Sequence, residues 1–154
     1  MRQITFLDKK STRKAPYKKP ESVKILERMA NEAASAKYPT MPHLAPRKYR
    51  DDSANGLTKC INDYLRFKGA FSSRLNNTGI YDKRLNRYRP GTSRKGLPDV
   101  LATYQGKSLF IEVKAGRDRI SKEQEKIRDE QKKSGGLYFI AHDFTTFKTF
   151  FDSI

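Results

Sequence analysis

Two apolar segments joined by a tight turn constrain this chain more than any other feature: "DVLATY" at 99–104, "QGK" at 105–107 and "SLFIEVK" at 108–114. Side chains alternate along a strand, so Leu109, Ile111 and Val113 share one face while Phe110, Glu112 and Lys114 share the other. The first set is a core face. The second sets a carboxylate and an amine side by side on a strand that should be covered. If "QGK" is a hairpin turn, Asp99 lies roughly opposite Glu112 or Val113, and three ionisable groups gather at one end of one hairpin. Spacing alone leaves two readings open: a cross-strand ion pair on a solvated face, or the groups of one active site.

The segments around this hairpin predict its surroundings. Residues 21–36 repeat Val23, Leu26, Ala30 and Ala33 at helical spacing, with Glu21 in the first turn, where the helix dipole favours an acid. Residues 38–50 hold three prolines and read as a linker or strap. A second helix fits 54–68, with Leu57, Ile61 and Leu65 on one face, Ser53 as N-cap and Gly69 as terminator. "AFSSRLNNTGIY" reads as a strand entering an Asn/Gly turn, and "DKRLNRYRPGTSRK" as a basic loop. After the hairpin come a polar helix from Ser121, a continuous apolar strand "GGLYFIAH" expected to be buried on both faces, and a closing "DFTTFKTFFDSI" helix or strap. From residue 54 the order is α-β-β-β-α-β-α. It predicts an α/β domain with a small mixed sheet flanked by helices, spanning 51–154 behind a basic extension at 1–50.

Charge says what such a domain meets. The 154 residues carry a formal net charge of +16, distributed as +9 over 1–50, +6 over 51–98 and +1 over 99–154. A balanced C-terminal third beside a strongly basic remainder suggests one part for chemistry and one for gripping a polyanion, nucleic acid before an anionic membrane surface. Residues 1–20, with seven Lys/Arg and one acid, read as a flexible arm, although "ITFL" could pair at a sheet edge. The single cysteine, Cys60, excludes an internal disulfide. No apolar run approaches a membrane span, and the first twenty residues lack a signal-type apolar stretch. An intracellular, non-membrane protein is expected.

The ordered motifs resemble a known family. Gly96-Leu97-Pro98-Asp99 followed by Ile111-Glu112-Val113-Lys114 is similar to the PD-(D/E)xK nuclease signature, and the neighbouring pieces resemble its VRR-NUC branch, the virus-type replication-repair nuclease domain. These pieces are "DYLRFKG", "SRLNNTG", "SKEQ" and "GGLYFIA", over roughly residues 54–145. The resemblance implies a restriction-endonuclease-like core and a Mg²⁺- or Mn²⁺-dependent nuclease. Phosphodiester hydrolysis must stabilise charge growing on phosphate oxygens and activate water, and a hard cation on oxygen ligands does both. The implied metal ligands are the Asp99 and Glu112 carboxylates and the Val113 carbonyl, with Lys114 orienting or deprotonating the attacking water. Gln124 has two readings: a residue beside the metal, as in the family, or the glutamine of a Ser121-x-x-Gln124 capping box. Arg74 reads as a phosphate contact or an ordinary surface arginine. Many members carry a glutamate early in the first helix. Here Ala54 stands there, beside Asn55, which leaves open one metal instead of two, recruitment of Asp52, or weakened activity.

Other chemistries find no support. His43 and His142 are isolated, one cysteine cannot build a zinc site, and no glycine-rich phosphate loop precedes a helix with Lys-Ser/Thr. In the basic loop, Lys83, Arg84, Arg87, Arg89, Arg94 and Lys95 surround Tyr81 and Tyr88. That mixture suits phosphate gripping with stacking at unpaired or branched DNA, against the alternative of a merely solvated loop. The expectation is a metal-dependent DNA nuclease acting on structured or branched DNA, from a virus, phage or mobile element. The alternatives are a homodimeric Holliday-junction resolvase, or a non-catalytic nucleic-acid-binding or packaging protein on the same fold.

Overall fold

A computed structural model describes residues 16–75, 80–89, 94–116 and 118–154. Most of the basic arm with its "ITFL" segment, the Asn/Gly turn at 76–79, residues 90–93, Arg117 and the side chains of Ile80 and Arg89 lie outside the described residues. Helix α1 (Glu21–Lys37) precedes α2 (Ala54–Phe67), strand β1 (Phe71–Arg74), the short strands β2 (Ile80–Asp82) and β3 (Arg87–Arg89), then β4 (Val100–Tyr104) and β5 (Lys107–Val113). Helix α3 (Lys122–Lys133), strand β6 (Leu137–Ala141) and helix α4 (Phe144–Phe151) complete the chain.

The main sheet runs β1-β4-β5-β6, antiparallel at β1/β4 and β4/β5 and parallel at β5/β6, so it is the expected small mixed sheet. The expected basic loop contains an additional two-stranded hairpin, β2 with β3, pairing Tyr81 with Tyr88. Edge-to-face contact of those two rings at 5.1 Å supplies a local reason for the pairing. The β4–β5 turn is two residues, Gln105 and Gly106, both at positive φ (48° and 76°), the geometry that matches the twist of paired strands.

The core lies on one face of the sheet. Leu109, Ile111 and Val113 point into it and meet Leu57, Ile61 and Leu65 of α2 and Phe144, Phe147 and Phe151 of α4. Full burial of each of these aliphatic side chains contributes on the order of 2 kcal/mol. Val23, Leu26 and Ala30 of α1 join the same cluster, whereas Ala33, expected on that face, is exposed. The N-cap of α2 is as expected, with Gly56 N donating to Ser53 Oγ at 3.2 Å, and Gly69 closes the helix at φ 79°.

The other face is covered by α3, and this converts an apparently half-exposed strand face into an enclosed one. Gln131 of α3 donates to Ser108 Oγ at 2.9 Å, at the far end of the face that carries Glu112. One expectation is corrected. Leu137–Ile140 of β6, expected to be buried on both faces, are half-buried, with only Ala141 of the strand fully buried, because β6 forms an edge of the sheet.

Candidate active site

The hairpin register settles where its polar groups fall. Val100 pairs with Ile111, so the next position back, Asp99, stands opposite Glu112 on the α3 side of the sheet. Asp99 Oδ2 accepts from Val113 N at 2.8 Å, and its carbonyl accepts from Leu75 N at 2.8 Å, so its backbone and carboxylate are both anchored at the ends of β1 and β5. Lys114 is held in its turn by β6: its N–H donates to Ala141 O at 2.9 Å, and its carbonyl lies 3.2 Å from His142 Nδ1. Its ammonium reaches Glu112 Oε1 at 3.0 Å.

Gln124 holds both positions that its sequence left open. Ser121 Oγ accepts from Gln124 N at 3.2 Å, and Ser121 N donates to Gln124 Oε1 at 2.9 Å, completing the capping box. With its oxygen engaged, the amide presents Nε2 outward, and this nitrogen donates to Glu112 Oε1 at 2.5 Å. The cap therefore fixes the amide orientation that the site contact requires.

The electrostatics of Glu112 set it apart. It is 3% exposed, and burial pushes its carboxyl above the ordinary range. The hydrogen bond from Lys114 opposes that shift, the Asp99 charge adds to it, and Gln124 opposes it again. Both neighbours bind Oε1. Among the described residues the other oxygen, Oε2, is buried without a hydrogen-bond partner, which is costly for a carboxylate. A divalent cation, which takes oxygen ligands, matches an unsatisfied buried carboxylate oxygen beside a second carboxylate. Among the described residues no group of three or more His, Cys, Asp and Glu side chains converges.

Sequence reasoning missed Tyr138. It pairs with Phe110 across the parallel β5/β6 ladder, on the same face as Glu112. Its hydroxyl is buried with no partner among the described residues, and burial, followed by the Glu112 charge, raises its pKa. A lone polar group in the apolar run "LYFIA" was the available signal. His142 is isolated in the sequence. It lines, with Lys114 and Arg119, a cleft of about 370 Å³ beside the site.

The remaining expected residues are more dispersed. Arg74 sits at the same end of the sheet but, by alternation with buried Ser72, on the α2 side, where it donates to Asn55 Oδ1 at 2.7 Å. Asp51 accepts from Tyr17 and from Phe144 N, and Asp52 pairs with Arg50 at 2.5 Å. Arg94 pairs with Glu130 of α3 at 2.7 Å, and Lys95 lies beside it near Glu123. Lys83, Arg84 and Arg87 are exposed on the β2–β3 hairpin, and Arg89 belongs to β3.

A mixed sheet with helices on both faces and two carboxylates meeting at the end of its central hairpin defines an α/β fold of the restriction-endonuclease-like kind. The family model described as the VRR-NUC domain matches residues 80–143 of the chain. No curated protein and no solved structure matches the chain. The domain indicates a nuclease-type function on DNA and hence contact with nucleic acid. Among the described residues no helix is long and apolar enough to cross a membrane.

Proposed function

We propose that this protein is a divalent-metal-dependent deoxyribonuclease acting on structured or branched DNA, with Asp99, Glu112, Lys114 and Gln124 as its catalytic group. The observation that carries the reading is the buried, partnerless Oε2 of Glu112, with Lys114 and Gln124 both on Oε1 and Asp99 on the facing strand. An ordinary surface ion pair has no reason to bury a carboxylate and leave one of its oxygens unsatisfied.

Asp99 and Glu112 would hold Mg²⁺ or Mn²⁺ together with the Val113 carbonyl. Bound there, the cation supplies Lewis-acid stabilisation of phosphate charge and a lowered pKa for water. Lys114, 13% exposed along its side chain, is positioned to neutralise charge as the phosphate becomes more negative, and in a shielded site that effect is large. Gln124 keeps Glu112 in one orientation. Arg74 and the cations of the β2–β3 hairpin would contact backbone phosphates and so fix the register of the strand without reading bases.

The test is nicking of supercoiled plasmid with and without Mg²⁺, comparing wild type with Asp99→Asn, alongside a thermal melt and calorimetric titration with Mn²⁺. Asp99→Asn should lose cleavage and weaken Mn²⁺ binding while remaining folded. Wild-type nicking by folded Asp99→Asn protein would remove these residues from the reaction.

A further inference from the structure

A second basic surface lies between the first two helices, lined by none of the proposed catalytic residues. Helix α2 runs from Ala54, where neighbouring Asn55 meets Arg74, to Phe67, about 18 Å beyond Asn55. There α1 and α2 enclose an open groove of about 460 Å³. Ala30, Ala33 and Ala34 of α1 make room for it, because small side chains on that stretch leave the space between the helices unfilled. Its cations are Lys37, Arg47, Lys59 and Arg66.

The charge is not cancelled locally. Among the described residues Asp63 is the one acid lining the groove, and it already accepts from Tyr49 Oη at 2.8 Å and pairs with Lys59. No ion pair within the described residues engages the side chains of Lys37, Arg47 or Arg66. Two aromatic rings flank these cations, Tyr38 at 39% and Phe67 at 37% exposure. A strongly basic trough with exposed rings matches a chain of phosphates carrying unpaired bases, since cations follow the backbone and rings stack on bases of any sequence. A duplex, far wider than this groove, could not present its bases to those rings.

We propose that the α1–α2 groove binds an unpaired nucleic-acid strand, holding single-stranded DNA that flanks the cleavage point. This deepens the proposed function and rests on its nucleic-acid substrate. It would make a junction between paired and unpaired DNA the preferred target, because the groove and the catalytic group are then both engaged.

The experiment measures binding of the full chain to a fluorescent oligothymidylate across a salt series. The variant Lys37→Gln/Arg47→Gln/Arg66→Gln is compared with an equal-charge control on another surface, Lys107→Gln/Lys132→Gln/Lys133→Gln. Loss of three single-strand phosphate contacts should flatten the slope of log K against log salt by about 2 and weaken binding by roughly tenfold or more near physiological salt. The control should move it far less. Tyr38→Ala/Phe67→Ala should lower affinity by about fivefold or more with the salt slope preserved. Equal effects of the groove and control variants would overturn the proposal, as would an unchanged Kd in the aromatic variant. Repeating the series in the Asp99→Asn background separates the two ideas. If Asp99→Asn still cleaves, the catalytic assignment falls and the groove result stands. If groove and control variants agree in both backgrounds, the groove falls whatever Asp99 does.

Discussion

Gly96 ties the loop before Asp99 to the helix that carries Gln124, and replacing it tests that linkage. The residue has φ 82°, and a Cβ there would lie 2.5 Å from both the carbonyl carbon and the oxygen of Glu123 and 2.9 Å from Gln124 N. These are backbone atoms of the first turn of α3, so no side chain can swing aside. Two costs add. The left-handed backbone costs an alanine about 1–2 kcal/mol, and forcing apart a packed contact costs about 1–3 kcal/mol more. Gly106 separates the terms, because at φ 76° it has nothing within 4 Å of the added Cβ. Gly106→Ala should therefore lose only the first amount, and Gly96→Ala roughly 2–5 kcal/mol in total. For a domain of this size each kcal/mol lowers Tm by about 2–4 °C. The larger change should also draw Gln124 and Asp99 apart, so Gly96→Ala should lose most of its cleavage at temperatures where it remains folded, and Gly106→Ala should not. Equal melting temperatures for the two variants would refute the close packing of the Gly96 loop on α3.

Other outcomes follow from the same contacts. Ser121→Ala removes the Oγ cap of α3 and should cost about 1 kcal/mol; Gln124→Ala, which loses the reciprocal cap and the Glu112 contact, should fall further in cleavage at similar stability, read by melts and nicking together. Lys114→Ala should abolish cleavage while retaining Mn²⁺ binding by calorimetry, since lysine is not a ligand. It also strips Glu112 of its cation, so the metal-free variant should lose stability, relative to wild type, as pH rises above the ordinary carboxylate value of 4.5, because a raised folded-state pKa makes ionisation unfavourable. Asp152 has the opposite sign. Burial opposes its ionisation, but Lys148, Tyr64 and Lys68 outweigh that and pull its pKa from 3.8 to about 2. Its contribution, about 1–2 kcal/mol after allowance for partial exposure, is complete above pH 3.8 and lost as pH falls through about 2. Acid titration of Asp152→Asn followed by circular dichroism should show that increment missing.

Strand alternation and turn chemistry are local, and for that reason the sequence alone determined most of the frame. The period of two put Glu112 and Lys114 on one face with Leu109, Ile111 and Val113 on the other, while the "QGK" turn left Asp99 opposite Glu112 or Val113 until the two-residue turn at Gln105-Gly106 fixed the register. Capping signals did the same for α2 and α3. The β2–β3 hairpin escaped notice because charge hid its weak pattern, and the burial of β6 was overestimated because an apolar run does not say whether a strand is central or at an edge. Tertiary structure alone decided the rest. Only the packing of α3 over the sheet buries Glu112, turns the Gln124 amide toward it and leaves Oε2 without a partner. Tyr138 joins that site because β6 pairs in parallel with β5, a contact between segments separated by a whole helix. The groove between α1 and α2 likewise depends on two helices joined by a proline-rich strap, whose approach no local pattern encodes. Local rules place a side chain on a face; what covers that face is set by long-range packing, and that packing makes a carboxylate buried and unsatisfied.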